Sequence, residues 1–207
     1  MKVILVNGSP KDKGSTYTAL LEVEKKLNEY NIETEIFHVG DKPISGCRGC
    51  GACKKLGKCI FDDSVNVFVE KAKNADGFVF GTPVHYAAMS GHLKSFMDRA
   101  FYCGGKDTYY LKPASAVVVA RRGGCASAFD EMNKYFAISE MPIISSSYWN
   151  MVYAAKPEDV CYDKEGISTM HNLAKNMAYI LKFKEIAKQN GYDIPERVVP
   201  ERTNFTK

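Results

Sequence analysis

The chain has 207 residues, 45% hydrophobic and 25% charged, with 28 Lys and Arg against 24 Asp and Glu for a net charge of +4. That composition excludes a disordered or membrane-embedded chain, and the length buries a full core while exceeding the usual ~150 residues per domain by too little to demand a split. No Lys/Arg block is dense enough for a nucleic-acid partner, and the longest apolar runs, such as residues 116–120, fall far short of the ~18 of a membrane span.

Residues 2–7 read as a buried strand, too short for a signal-peptide core, so the chain is expected in the cytoplasm. Residues 16–30 then place Ala19, Leu20, Val23, Leu27 and Tyr30 on one helical face, and 32–39 read as a second strand. A helix over 65–75 leads into a strand at 76–81, followed by a helix at 92–101 and a strand at 114–120. A helix at 126–136, a strand at 142–148 and a helix at 169–189 complete the series. The last helix carries the apolar stripe Met170, Leu173, Ala174, Met177 and Leu181, and Gly191 is placed to end it. Five strands alternating with helices predict an α/β fold with a doubly wound parallel sheet between two helical layers. The expected organisation is one domain over 1–190 with a cysteine-rich insertion at 40–63, then an extended tail at 191–207. The tail loosely repeats Pro-Glu-Arg over 195–202 and either docks or frays.

In such a sheet the ligand sits beyond the carboxyl ends of the strands, where strand order reverses. The loop after the first strand offers Ser9, Lys11, Ser15 and Thr16 and leads directly into a helix with no acid before Glu22. A helix start exposes unpaired N–H groups and a partial positive charge, so this loop suits a phosphate; it also reads as a plain Ser N-cap. After the third strand, Pro83 stiffens a loop in which Val84, His85 and Tyr86 could face a flat ring, or simply form a turn. After the fourth, Arg121, Arg122, Gly123 and Gly124 supply two cations and flexible backbone.

Residues 40–63 carry no helical or strand period and are long for a loop inside a compact domain. Ordering them costs about 1–2 kcal/mol per residue, while Ile44, Leu56, Ile60 and Phe61 return only about 1.5–3 kcal/mol each if fully buried. Something else must fasten the segment. It holds Cys47, Cys50, Cys53 and Cys59 in the spacing C-x2-C-x2-C-x5-C, close to a ferredoxin run but with a longer last gap and Ile60 in place of Pro. Four thiolates from one short segment suit a [4Fe-4S] cluster; zinc is the next candidate, and a chain that keeps the thiols and binds nothing stays open. A reducing compartment disfavours disulfides. Cys103, Cys125 and Cys161 read as isolated residues of core or surface.

The combination of Gly8-Ser9-Pro10 and Gly14-Ser15-Thr16 with Gly81-Thr82-Pro83-Val84-His85-Tyr86 and Leu93-Lys94-Ser95-Phe96-Met97-Asp98-Arg99 resembles the NADPH-dependent FMN reductase family of flavodoxin-like proteins. The cysteine run makes it similar to the iron-sulfur flavoprotein branch. The likeness spans roughly the first hundred and fifty residues. It implies FMN, with its phosphate on Ser9, Lys11, Ser15 and Thr16 and its ring system against Pro83, Val84, His85, Tyr86, Gly123 and Gly124. Lys11 stands where relatives commonly have Arg. Arg121, or an amide beside it, would stabilise the anionic reduced flavin. The resemblance further implies NADH or NADPH as donor, a small-molecule or protein acceptor, a [4Fe-4S] cluster on the four cysteines and a homodimer or homotetramer in which cluster and FMN of adjacent subunits approach. No residue need act as acid or base. A cluster-free quinone reductase and a non-enzymatic FMN carrier or redox sensor are the alternative readings.

Overall fold

The computed structural model describes residues 1–198, 200, 201 and 203–205. Five parallel strands, β1 (Lys2–Asn7), β2 (Glu33–His38), β3 (Gly77–His85), β5 (Ala114–Ala120) and β6 (Met151–Tyr153), lie in the order β2-β1-β3-β5-β6, and the two-residue β4 (Ala88–Met89) turns back antiparallel on β3. Six α-helices connect them: α1 (Ser15–Glu29), the single turn α2 (Cys53–Leu56), α3 (Ser64–Lys73), α4 (Gly91–Tyr109), α5 (Cys125–Ile138) and α6 (Lys164–Gln189). A 3-10 helix at Pro157–Tyr162 precedes α6. The doubly wound parallel α/β fold read from the strand and helix periods is the observed one.

Alternation along the strands sorts the core into two layers. Ile4 and Val6 of β1 join Phe37, Phe68, Phe78, Phe80, Phe96 and Phe136 beneath α3, α4 and α5, whereas Val3 and Leu5 join Val79, Val117, Leu20, Leu173 and Met177 beneath α1 and α6. Both faces of the sheet are therefore covered, which is why β1 and β5 read as unbroken apolar runs. Order reverses at β1, since β2 lies to one side of it and β3 to the other. The carboxyl ends of β1, β3 and β5 flank that point.

The fifth parallel strand departs from the reading at 142–148. Residues 142–144 meet the sheet's backbone there only at Ala114, through an isolated bridge from Ile143, and the strand proper is β6, with Met151 opposite Val118 and Tyr153 opposite Ala120. Between them the chain leaves the ladder, and polar side chains take its place. Buried Asn150 donates to Ser115 Oγ at 2.8 Å and to the Ala116 carbonyl at 3.0 Å, while Ser115 Oγ donates to the Ile144 carbonyl at 2.8 Å. A run of three serines has no apolar side chain to press against the sheet, so the apolar Met151-Val152 stretch, with its β-branched valine, pairs instead. Two further differences are local. Helix α4 continues to Tyr109 across a break at Gly105, whose φ of 70° leaves the helical region, and Tyr148 and Trp149 are half exposed, with ring centroids 5.1 Å apart and planes inclined by 52°.

Beyond Gln189 the described residues form no helix or strand. Arg197 reaches back to the domain, donating to Glu140 Oε1 at 2.9 Å with Asp107 3.7 Å away, so this part of the tail docks on its own chain. Val199 and Arg202 of the Pro-Glu-Arg stretch lie outside the described residues.

Candidate functional site

The first loop is built by Asn7, which is fully buried at the end of β1. Its side-chain amide donates to the Asp12 carbonyl at 2.8 Å and to that of Lys11 at 3.4 Å, and its oxygen accepts from the Ser9 amide at 3.2 Å. Ser9 Oγ in turn accepts from the Lys11 amide at 3.1 Å. The N-cap of α1 is Gly14, not a serine; it makes no side-chain cap, and the first turn holds no acid. The first intrahelical bond of the turn runs from the Thr18 amide to the Gly14 carbonyl at 3.1 Å, which leaves the amides of Ser15, Thr16 and Tyr17 without an intrahelical acceptor. The result is a positive helix end with donors and no built-in anion.

Close packing brings that loop against the next. The Gly8 amide donates to the Gly81 carbonyl at 2.8 Å, and a side chain at Gly8 would stand 2.7 Å from that oxygen. Ser90 caps α4 by accepting from the Leu93 amide and donates its hydroxyl to the Gly8 carbonyl at 2.9 Å. Residues Tyr86 and Ala87 close the β3–β4 hairpin with φ of 49° and 59°, the two left-handed positions of a type I′ turn, without a glycine at either. Held at sparsely populated angles, this turn at the sheet's rim is the kind of local strain that collects at functional sites.

Ser9, Lys11, Ser15, Thr16, Pro83, Val84, His85 and Arg121 all line one solvent-open cleft of about 230 Å³ at the carboxyl edge. Tyr86, Gly123 and Gly124 do not line it. Tyr86 points wholly into solvent, and Gly124 packs beneath the hairpin turn, where a Cβ would sit 2.7 Å from Ala87 Cα. Sequence reasoning missed Val119, Ala120, Ala154 and Ala155, which complete the lining. The alanines carry no chemistry that a motif search could catch; only the parallel register of β5 and β6 brings them to the edge. The donor set fits a phosphomonoester at the helix end, and Pro83 with Val84 and Val119 offers an apolar wall for a flat ring.

Cys47, Cys50, Cys53 and Cys59 surround a second, smaller concavity on the α3–α4 side of the sheet. Among the described residues no three His, Cys, Asp or Glu side chains close on one point as a single metal ion requires; the thiols ring a space instead. Cys103 is not isolated but lines the same concavity, and burial pushes its thiol pKa up. Cys125 is buried and Cys161 exposed. Gly49, Gly51 and Gly57 take φ of 64°, 68° and 69° with nothing near their missing side chains, so they serve the winding of the loop rather than a tight contact. Soft thiolate donors drawn from one segment fit an iron-sulfur group.

A residue not anticipated from the sequence fastens the loop. Arg99 of α4 is 1% exposed, and its five N–H groups meet five acceptors. Nη1 and Nη2 grip Asp63 Oδ2 and Oδ1 at 2.6 and 2.9 Å and reach the Ser45 and Phe61 carbonyls at 3.4 Å, while Nε donates to Cys59 Sγ at 3.3 Å. The guanidinium also lies over the Phe61 ring at 4.8 Å. Asn66 adds a clasp, accepting from the Cys59 amide at 2.8 Å and donating to the Cys59 and Phe61 carbonyls.

The family description of NADPH-dependent FMN reductases matches residues 1–156. The chain belongs to that family. As a member it is an NAD(P)H-dependent, FMN-reductase-like oxidoreductase. It is similar to an iron-sulfur flavoprotein of Methanocaldococcus jannaschii, 33% identical over 189 residues that cover 88% of this chain and 98% of the relative. Two solved structures share the fold at low identity. RosB, with a bound intermediate, 8-demethyl-8-formylriboflavin-5′-phosphate, superposes with a TM-score of 0.69 at 13% identity, covering 100% of this chain and 92% of RosB. A flavodoxin from the domain Archaea gives 0.60 at 14%, covering 88% and 99%. Among the described residues no helix is long and apolar enough to cross a membrane.

Proposed function

We propose that the cleft holds FMN, takes electrons from NADH or NADPH and passes them to a small-molecule or protein acceptor. The observation that carries this reading is the uncapped, acid-free start of α1 opening into a cleft lined by Ser9, Lys11, Ser15 and Thr16. Those residues and the first-turn amides hold the phosphate. Pro83, Val84 and His85 form the wall against which the ring lies, with Tyr86, Gly123 and Gly124 at its margin. Arg121 supplies positive charge beside the ring. FMN, when bound, would supply the redox chemistry, two-electron exchange with a nicotinamide and electron release in pairs or singly. The chain's own part is to bind, orient and bias charge, and no proton transfer is asked of His85.

Cys47, Cys50, Cys53 and Cys59 would hold a [4Fe-4S] cluster, which supplies one-electron transfer. The donor chemistry of four thiols ringing one concavity supports this, as does the name of the Methanocaldococcus jannaschii relative. The cleft and the concavity share no lining residue. That separation favours electron passage between neighbouring copies, so the working unit is read as a homodimer or homotetramer.

The test is titration of apoprotein with FMN and with riboflavin, followed by mixing of the FMN form with NADPH. Wild type binds FMN far more tightly than riboflavin, and NADPH bleaches the flavin. Replacing Ser9 and Ser15 by Ala removes hydrogen bonds to a charged group, about 1.5–3 kcal/mol each, so FMN affinity falls at least tenfold while riboflavin affinity holds. Equal FMN affinity in the variant refutes the phosphate loop.

A further inference from the structure

Arg99 occupies an unusual place for a cation. It sits on the buried side of α4 among Phe96, Met97 and Ala100, all fully buried, and is the largest side chain shut away from solvent. Its contacts fall on both ends of the cysteine loop: Ser45 before the first cysteine, Phe61 and Asp63 after the last, and the sulfur of Cys59 itself. Asp63 is held in turn, because it caps α3 by accepting from the Val65 amide at 3.1 Å. Both ends of the loop are thus tied to α3 and α4 by protein groups.

We propose that the Arg99–Asp63 pair is the positioning element of the cluster site, holding the cysteine loop in its ligating shape before metal arrives and setting the cluster's reduction potential through the Nε–H···Sγ bond to Cys59. This rests on the cysteines carrying a cluster, as read above. The physical basis is that hydrogen bonds and charge at ligand sulfurs decide how readily a cluster accepts an electron. A guanidinium donating to Cys59 Sγ stabilises the more negative, reduced state. Asp63 opposes it, and the donor, in direct hydrogen-bond contact with the sulfur, outweighs it. Arg99 neither takes the electron nor moves a proton.

The two halves of the pair predict shifts of opposite sign. In Arg99→Gln the donor charge is gone and the Asp63 carboxylate stays, so the reduction equilibrium moves about tenfold towards the oxidised state, a fall of about 59 mV for one electron. In Asp63→Asn the helix cap is kept and the opposing charge removed, so the potential rises by a comparable step. Arg99→Lys keeps the charge but not the fork, and falls between wild type and Arg99→Gln.

The experiment is anaerobic reconstitution of full-length wild type and the three variants with iron and sulfide, redox titration followed by electron paramagnetic resonance, and hydrogen exchange of the metal-free chains. The expected result is the ordering Asp63→Asn above wild type above Arg99→Lys above Arg99→Gln, with residues 45–63 exchanging at least tenfold faster in metal-free Arg99→Gln than in wild type. Equal potentials, or a shift of the same sign in Arg99→Gln and Asp63→Asn, overturn the proposal while leaving the cluster reading intact. If Arg99→Gln fails to fold, the sign of the Asp63→Asn shift decides. A wild-type chain that takes up no iron and sulfide overturns the cluster reading and this proposal with it.

Discussion

Replacing Gly81 by Ala tests how tightly the sheet couples to the first turn of α1. Gly81 lies midway along β3, between Asn7 at the end of β1 and Val117 of β5. A Cβ there would stand 2.9 Å from Leu20 Cδ1, 3.0 Å from Thr16 Cγ2 and 3.1 Å from Leu20 Cγ. Leu20 is fully buried and has nowhere to go. Inserting one methyl into such a core costs about 1–3 kcal/mol, and a domain of this size loses about 2–4 °C of Tm per kcal/mol, so Tm falls by roughly 2–12 °C. Because Thr16 is pushed with its helix, the donors at the helix end also move, and losing one neutral hydrogen bond's worth of binding, about 1 kcal/mol, weakens FMN roughly fivefold. Thermal unfolding of apoprotein and flavin-fluorescence titration read the two effects. Adding Thr16→Ser removes one of the clashing carbons and recovers part of both losses, a coupling expected only of residues in contact. A Gly81→Ala protein with wild-type Tm and wild-type FMN affinity refutes the reasoning.

Asn7→Asp keeps the acceptor for the Ser9 amide but loses the donor to the Asp12 carbonyl and puts a negative charge beneath the phosphate loop; urea unfolding should show a loss of about 1–3 kcal/mol, and FMN affinity should fall more than riboflavin affinity. Burial pushes the Lys112 ammonium down to about 8 from its ordinary 10.5, with Asp76 partly opposing. Between pH 8 and 10.5 the unfolded chain therefore binds more protons at this site than the folded one, so stability rises with pH across that window and is lowest below it. Lys112→Met should flatten that rise in the urea midpoint, and an identical slope in both proteins counts against the assignment. Trp149→Ala, at a half-exposed side chain outside the cleft, should change stability by no more than about 0.5 kcal/mol and leave FMN titration unaltered.

What could be read from the sequence was whatever repeats with a period or sits beside a glycine. The runs at Val3 to Val6 and Ala116 to Ala120 declared buried parallel strands, and the loops that follow them declared the rim of the sheet. The cysteine spacing announced itself because its residue type is rare. Long-range partners left no such mark. Nothing near Arg99 in the chain names Asp63, 36 residues earlier, or Cys59, 40 residues earlier. The one available hint was an arginine set against the apolar positions Leu93, Phe96, Met97 and Ala100. Cys103 looked solitary for the same reason, since only the turn of α4 carries it from Arg99 to the wall of the concavity. The fifth strand misled because residues 142–144 do touch β5, and the departure after them depends on Asn150 and Ser115 meeting across the fold.

The interruption before β6 bears on how the protein behaves when crowded. An open sheet offers its outermost backbone as a template to any passing strand, and long flat margins invite growth into aggregates. Here one margin presents only three laddered residues after a stretch that has already left the sheet plane. At the other, β2 is flanked by ion pairs from Glu33 and Glu35 to Lys2 and from Glu35 to Lys71. With one border short and the other lined by charge, the sheet offers a passing strand little to pair with, without being rolled into a barrel.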